Sequence, residues 1–252
     1  MIVKWDGATA PSEGYPRLRH AADQAVIVEF GDRIDPVINM QVTGLDRDLA
    51  ASPVAGVLET VPTYRSLCVR YDPLAIRSAD LIAELRRRLS CISEHQGARR
   101  LWTVPVLYGG EAGPDLDDVS RMHDLTSEEV ITLHSRARYR VYMIGFMPGY
   151  AYLGGLPEAL HTSRLDRPRP SMPSGSIAVG GVQTSIFSVT CPSGWRVLGR
   201  TPLRMFDRAR TPPILMAVGD EVRFDPVSIA EAARLEKATE SGDLPAVCEV
   251  ME

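Results

Sequence analysis

The residues able to do chemistry crowd into the second half of the chain. The stretch "RLDRPRPSMPSGSIAVGGVQTS" (164–185) sets Arg164, Arg167 and Arg169 close together. A Pro-Ser-Gly-Ser turn containing Gly175 and Ser176 follows, and Gln183-Thr184 comes just after the Gly180-Gly181 turn. "PSGWRVLGRTP" (192–202) adds Arg196 and Arg200 around Trp195. A guanidinium offers a planar fork of donors that matches carboxylate and phosphate oxygens, so this set suits an anionic ligand, with surface salt bridging as the plainer use. Gln183 and Thr184 either bind a polar ligand or satisfy the backbone of their turn. His134 lies four residues after Val130 on a helical pattern, which suits packing and capping of the helix end as well as proton transfer. Ser135 beside it has no visible Asp-His relay and is weak as a nucleophile.

A second stretch is unusual for what it lacks. "GFMPGYAYLGGL" (145–156) carries no charge, four glycines and an aromatic set that includes Phe146 and Tyr152. Connecting loops are normally polar because they lie in water. An apolar loop with Pro148 and Gly149 at its bend reads as a barrel corner packed on itself, a lid, or a surface that meets a partner.

Composition removes several kinds of chemistry. Of 28 basic residues only Lys4 and Lys237 are lysine, both near the ends of the 252-residue chain. A lysine-based phosphate loop, a Schiff-base lysine in the body and a biotin-acceptor lysine in the fold are therefore excluded. Four dispersed cysteines and five histidines without metal spacing make a bound metal improbable, and reduced, mostly buried thiols are expected. A net charge of −4 gives no basic field for nucleic acid or an anionic membrane. With no membrane-length apolar run and no signal-like apolar core near the N-terminus, the expected location is cytoplasmic.

The elements that must position these residues fall into two styles. Over residues 25–107 the pattern reads β-α-β-β-α-β, the ferredoxin-like order. "AVIVEFG" is a strand and Asp35-Pro36 opens a helix. "VAGVLETV" and "YRSLCVRY" are paired strands, Ser78 caps a second helix, and "LWTVPVLY" (101–108) is a strand that Pro105 places at an edge. "CISEHQGARR" (91–100) reads as an exposed connection. Thr126 and Glu129 then form a capping box on "SEEVITLHSRA". From 143 to 226, short apolar runs between glycines and prolines predict an all-β barrel or sandwich, with "MAVGDEVRF" as a hairpin turning at Gly219-Asp220. The expected fold class is α+β. Its parts are a ferredoxin-like domain at 20–100, a β-barrel at 101–228, and a C-terminal helix and tail at 229–252.

With "YGGEAGPDL", His134-Ser135, "GFMPGYAYLGGL", "MPSGSIAVGGVQT" and "SGWRVLGRTP" in that order, the sequence resembles the family of the bacterial 5-oxoprolinase B subunit. That family is also known as allophanate hydrolase subunit 1 and as the kinase inhibitor KipI. The chain departs from the usual pattern at Met172 and Ser174, at Ser188 in place of a proline, and at Ser193 in place of a glycine. The resemblance implies a cyclophilin-like β-barrel. It also implies a carboxyltransferase-like partner, the C subunit of 5-oxoprolinase, and a third component, the A subunit. Together they would open 5-oxoproline to glutamate at the expense of ATP, the chain being inactive alone. Phosphorylating the amide oxygen makes the lactam carbon a better electrophile. Such chemistry calls for cations around phosphate and carboxylate and one group to manage protons.

On that basis His134, Arg169 and Arg200 are the candidate catalytic residues. Arg164, Gly175, Ser176, Gln183 and Thr184 are candidate contacts to substrate or nucleotide. Phe146, Pro148, Gly149 and Tyr152 are the candidate partner-facing loop. ATP enters as co-substrate of the complex, with no metal or biotin on this chain. The alternatives are KipI-like binding to a histidine kinase and a role in urea or allophanate metabolism.

Overall fold

The computed structural model describes residues 14–91, 99–243 and 247–251. The expected connection at 91–100 falls largely outside the described residues. The chain divides into two compact units that meet in sequence at residue 97.

The first unit contains β1 (Arg17–His20), β2 (Ala25–Glu29), α1 (Pro36–Ala51), β3 (Val57–Pro62), β4 (Ser66–Tyr71) and α2 (Ser78–Leu89). Its antiparallel sheet has the order β1-β2-β4-β3. Alternation in β2 and β4 sends Val26, Val28, Leu67 and Val69 to one face. There they meet Ile38, Val42 and Leu45 of α1 and Leu81 and Leu85 of α2. Asp35 caps α1 by accepting from the Val37 and Ile38 amides, with Pro36 at the first helical position. At α2 the cap position is Arg77, not Ser78, and Arg77 instead grips Asp80 in the first turn. Arg88 ties the ends of both helices together through Asp48 and the Ser52 carbonyl, each at 2.8 Å.

The sheet is ferredoxin-like, but its last strand does not come from "LWTVPVLY". The edge beside β2 is filled by β1, joined to it by only Ala21–Gln24, with Ala21 N–H bonded to the Ala25 carbonyl at 2.9 Å. A hairpin partner that close in sequence closes a much shorter loop than a strand arriving after α2.

The 101–108 segment belongs to β5 (Arg99–Tyr108) in the second unit. The elements after it are α3 (Leu116–Met122), α4 (Ser127–Arg136), β6 (Tyr139–Ile144), β7 (Ala151–Gly154), β8 (Arg169–Met172), β9 (Ser176–Gly180) and β10 (Gln183–Ile186). β11 (Cys191–Ser193), β12 (Arg196–Arg200), β13 (Glu221–Pro226), α5 (Ile229–Glu240) and β14 (Val247–Met251) complete it. Seven strands close a barrel in the order β5-β12-β9-β10-β7-β6-β13, and β13 returns to β5 as its parallel neighbour. β14 lies outside the ring on β5.

Pro105 sits between the β14 register, which ends at Thr103, and the β12 register, which begins at Leu107. That is a gap in the ladder rather than a true sheet edge, and the missing N–H costs nothing there. At the closure point β12 approaches β5 so closely that a Cβ on Gly199 would stand 2.7 Å from the Leu107 carbonyl oxygen.

The barrel interior is filled by Val104, Val106, Val141, Leu153, Ile177, Val179, Ile186, Leu198, Val222 and Phe224. On the outer side of β9, Ala178 joins a second buried cluster with Tyr150, Met172, Phe187 and Trp195. The anticipated hairpin at 216–224 is absent. Gly219-Asp220 does turn the chain, but Asp220 anchors the turn to the barrel. Its carboxylate accepts from Ala217 N–H, Trp102 Nε1 and Arg100 at 2.7–3.0 Å. The thiols are also less buried than expected: Cys191 is covered, while Cys91 and Cys248 are exposed, the latter on the outlying β14.

Candidate functional site

α4 carries His134 into the barrel. Its Thr126–Glu129 capping box fixes the helix start, and Val130 and His134, one turn apart, form its buried face. The imidazole is fully buried and lies on Phe224 with ring centroids 4.7 Å apart. Thr184 Oγ1 donates to the Ala178 carbonyl at 3.1 Å, so its one proton is committed. It must therefore accept from His134 Nε2–H at 3.1 Å, which leaves Nδ1 to accept from Tyr108 O–H at 2.7 Å. Tyr139 closes the network by donating to the His134 carbonyl at 2.8 Å. Every partner is neutral and water is excluded, so burial pushes the His134 pKa down to about 3 and raises Tyr108 and Tyr139.

Arg169 is equally committed, to a different partner. Asp115 is buried at the start of α3, and its carboxylate accepts from Arg169 Nη1 at 2.8 Å and Nη2 at 2.6 Å. The same carboxylate accepts from the Val197 amide at 2.7 Å, so one side chain joins α3, β8 and β12. The paired carboxylate in turn raises the Arg169 pKa. Asp115 lies in the "YGGEAGPDL" block, yet nothing in that block announces a partner 54 residues away.

The neutral loop forms an aromatic surface outside the barrel. Tyr150 packs edge-on against Phe146, Tyr152 and Phe187 with centroids 4.6–5.6 Å apart, and its hydroxyl bonds to Ser185 Oγ at 2.9 Å. Arg164 stands over the Trp195 ring at 5.6 Å. Phe146 itself is 65% exposed and has φ +66°, a left-handed geometry that a non-glycine residue rarely takes. Pro148 is exposed beside it, while Gly149 is buried against Met205.

A cleft of about 200 Å³ opens where the turn before β9 meets the end of β12 and the last turn of α5. Ser174, Gly175, Ser188, Arg200, Arg204 and Glu236 are among its lining residues. Gly175 has φ +78° and its Cα faces the Thr201 carbonyl so closely that no Cβ fits. Ser176 Oγ turns back to the Pro173 carbonyl at 2.8 Å. Arg200 donates from Nε to the Ser174 carbonyl at 3.3 Å and stands 3.7 Å from Glu236.

The structure thus brings together Gly175 and Arg200 at the cleft, while Ser176, next to Gly175, is buried with its hydroxyl turned to the Pro173 carbonyl. Arg164, Phe146 and Tyr152 gather at the aromatic surface, with Pro148 and Gly149 in the same loop. His134 and Thr184 are joined inside the barrel, Arg169 is bound to Asp115, and Gln183 is half-buried opposite Gly180 at the start of β10. These residues do not form one constellation. Sequence reasoning missed Asp115 and Glu236, whose partners lie far along the chain, and Ser188 and Arg204, which only the fold brings to the cleft. Among the described residues no cluster of three or more His, Cys, Asp or Glu side chains could hold a metal ion. Nor is any helix among them long and apolar enough to cross a membrane.

Comparison with known proteins places this architecture. A model of the carboxyltransferase domain, subdomain C and D, matches residues 16–216. The chain is 36% identical over 223 residues to the 5-oxoprolinase B subunit of Bacillus subtilis, covering 84% of this chain and 93% of that one. It is 42% identical over 167 residues to the 5-oxoprolinase B subunit of Haemophilus influenzae, covering 66% and 75%. Among solved structures, TTHA0988 superposes with a TM-score of 0.74 at 33% identity. The match covers 81% of this chain but 40% of that one, so this chain spans less than half of its length. The K. lactis urea amidolyase superposes with a TM-score of 0.76 at 18% identity, over 93% of this chain and 16% of that one, and shares the fold. Matched from residue 16 to residue 216 and related over most of its length to 5-oxoprolinase B subunits, the chain belongs to the carboxyltransferase-domain family of subdomains C and D.

Proposed function

We propose that this chain is the B subunit of an ATP-dependent 5-oxoprolinase and acts only when assembled with the A and C subunits. The observation that carries the reading is the 36% identity to the B subunit of a 5-oxoprolinase, across 93% of that protein. The geometry supports the need for partners. The imidazole best placed in sequence to move a proton is sealed in the barrel with both ring nitrogens occupied. The cleft holds arginines, hydroxyls and carboxylates, but its Ser188 hydroxyl touches no base that would activate it. Meanwhile Phe146 and Pro148 present an apolar surface held in an unusual backbone geometry, which suits docking on the C subunit.

In this reading the chain supplies positive charge and part of a shared site, and the lactam-opening chemistry is completed by the other subunits in the cytoplasm. The 22% identity to the urea amidolyase of Lachancea kluyveri fits a carboxyltransferase-type alternative without favouring it. Reconstitution tests the proposal. 5-Oxoproline-dependent ATP hydrolysis should be negligible for the isolated chain and appear on adding the A and C subunits. Turnover by the chain alone would defeat the shared-site reading. A silent mixture, with inhibition of a histidine kinase instead, would establish the binding-protein alternative.

A further inference from the structure

The cleft beside the Gly175 turn leaves two kinds of donor underused. The Ser188 hydroxyl borders it, is buried, and has no hydrogen-bond partner. Buried hydroxyls are nearly always paired, so one left open beside a cavity marks room for a ligand atom or water. Arg200 and Arg204 also line the cleft, and their nearest carboxylates, Glu236 and Asp207, stand off at 3.7 and 3.9 Å. Those are ion pairs without hydrogen bonds, unlike the two-pronged contact that Asp115 makes to Arg169.

The far wall of the cleft is the last turn of α5, with Glu236, Thr239 and Glu240. A helix C-terminus carries partial negative charge, so the dipole and both glutamates oppose an entering anion. This helix also lies beyond residue 216, where the family match ends.

We propose that the cleft is a binding site for a carboxylate or phosphoryl group. Arg200, Arg204 and Ser188 are its donors, and Glu236 is a built-in counter-ion that the arriving anion displaces. The site stands on this geometry. The source of its anion, either the 5-oxoproline carboxylate or a phosphoryl group from the nucleotide, rests on the B-subunit reading.

The test is calorimetric titration of the full chain at low ionic strength, with inorganic phosphate and separately with 5-oxoproline. Glu236→Gln removes the competing charge and should tighten the fitting anion about five-fold or more. Adding Arg200→Ala to that variant should weaken binding at least about ten-fold, and Arg200→Lys should restore only part of it. Ser188→Ala should weaken binding by about two- to five-fold while leaving thermal unfolding unchanged, because its hydroxyl has no protein partner to lose.

Tightening for phosphate alone identifies a phosphoryl site, and tightening for 5-oxoproline alone identifies a carboxylate site. Either outcome supports the proposal. No saturable binding of either anion to Glu236→Gln, or binding that Arg200→Ala leaves unchanged, overturns it. Because binding is read on the chain by itself, failure here leaves the reconstitution result standing. An inactive reconstituted complex would count against the B-subunit reading and not against the cleft.

Discussion

Arg169 and Arg200 come from the same arginine-rich half of the chain, and each faces a carboxylate from another element. Their surroundings differ in a way that separates structure from chemistry. Asp115 is almost wholly buried, meets Arg169 through two short hydrogen bonds, and also takes the Val197 amide. Glu236 is 55% exposed and stands 3.7 Å from an Arg200 that is itself 48% exposed. A buried, fully satisfied pair is expensive to break, whereas an exposed, loose pair contributes little to stability and can be exchanged. His134 belongs with the first kind, since both of its nitrogens are occupied in the barrel core. The Phe146 loop belongs with the second. Residue type made all of these candidates, and commitment to a partner divides them.

The sharpest break of this comparison is Asp115→Ala. It strands the Arg169 guanidinium and removes the acceptor of a buried amide, and losing one partner of a buried pair costs about 3–5 kcal/mol. Urea unfolding of the isolated chain should show a loss of that size, and Arg169→Ala a comparable one, because it leaves the Asp115 carboxylate, only 3% exposed, without its counter-charge. Losses below about 1 kcal/mol in both variants would show that the pair is not structural and return Arg169 to the available cations.

That contrast also marks what was legible from residues alone. Periodicity found the longer strands and every α-helix but α3, because each follows from neighbours within a few residues, and it passed over the short strands β7, β8 and β11 and the outlying β14. The Asp35 and Thr126 caps are of this kind, as are the alternating strands β2 and β4. The strand β1 escaped because "RLRH" has no apolar alternation, and its pairing with β2 is what makes it a strand. Site residues were legible only as types. Nothing near Arg169 in sequence announces Asp115, and nothing near His134 announces Tyr108 and Thr184, which lie 26 and 50 residues away. A helical position four residues after Val130 was compatible with a packed or a catalytic histidine, and the closed barrel decides how deeply it sits.

The second prediction uses that depth. In the folded chain burial holds His134 neutral, with its pKa lowered from 6.5 to about 3. Between these values the unfolded chain binds a proton that the folded chain refuses, so stability must fall as pH drops. The contribution is fully present above about pH 6.5. A single such group removes roughly 2 kcal/mol by pH 5 and continues to destabilise toward pH 3. Comparing urea midpoints at pH 7.5 and pH 5 for wild type and His134→Gln isolates the effect, because glutamine does not titrate. Parallel pH dependence in the two proteins would mean that the imidazole reaches solvent, and would reopen proton transfer from this residue.

The smallest effect on folding should come from Phe146→Gly, where two local terms oppose each other. Glycine relieves the left-handed backbone at φ +66°, which is worth about 1–2 kcal/mol. The same change deletes the edge-on contact with Tyr150, of about 0.5–1.5 kcal/mol beyond area burial, and loosens the loop in the unfolded-state sense as well. The ring is 65% exposed, so little apolar burial is lost, and the net change in stability should lie within about 0.5 kcal/mol. Assembly is where the ring should matter. An exposed aromatic that becomes a buried anchor at an interface contributes about 2 kcal/mol or more, so affinity for the C subunit should fall by roughly 30-fold or more. Phe146→Tyr should retain most of it. A strain-free variant that binds the C subunit as tightly as the wild type would take the loop out of the interface. The left-handed phenylalanine would then be a packing feature of the Tyr150 cluster, and Phe146 would move to the committed side of the comparison, beside Arg169 and His134.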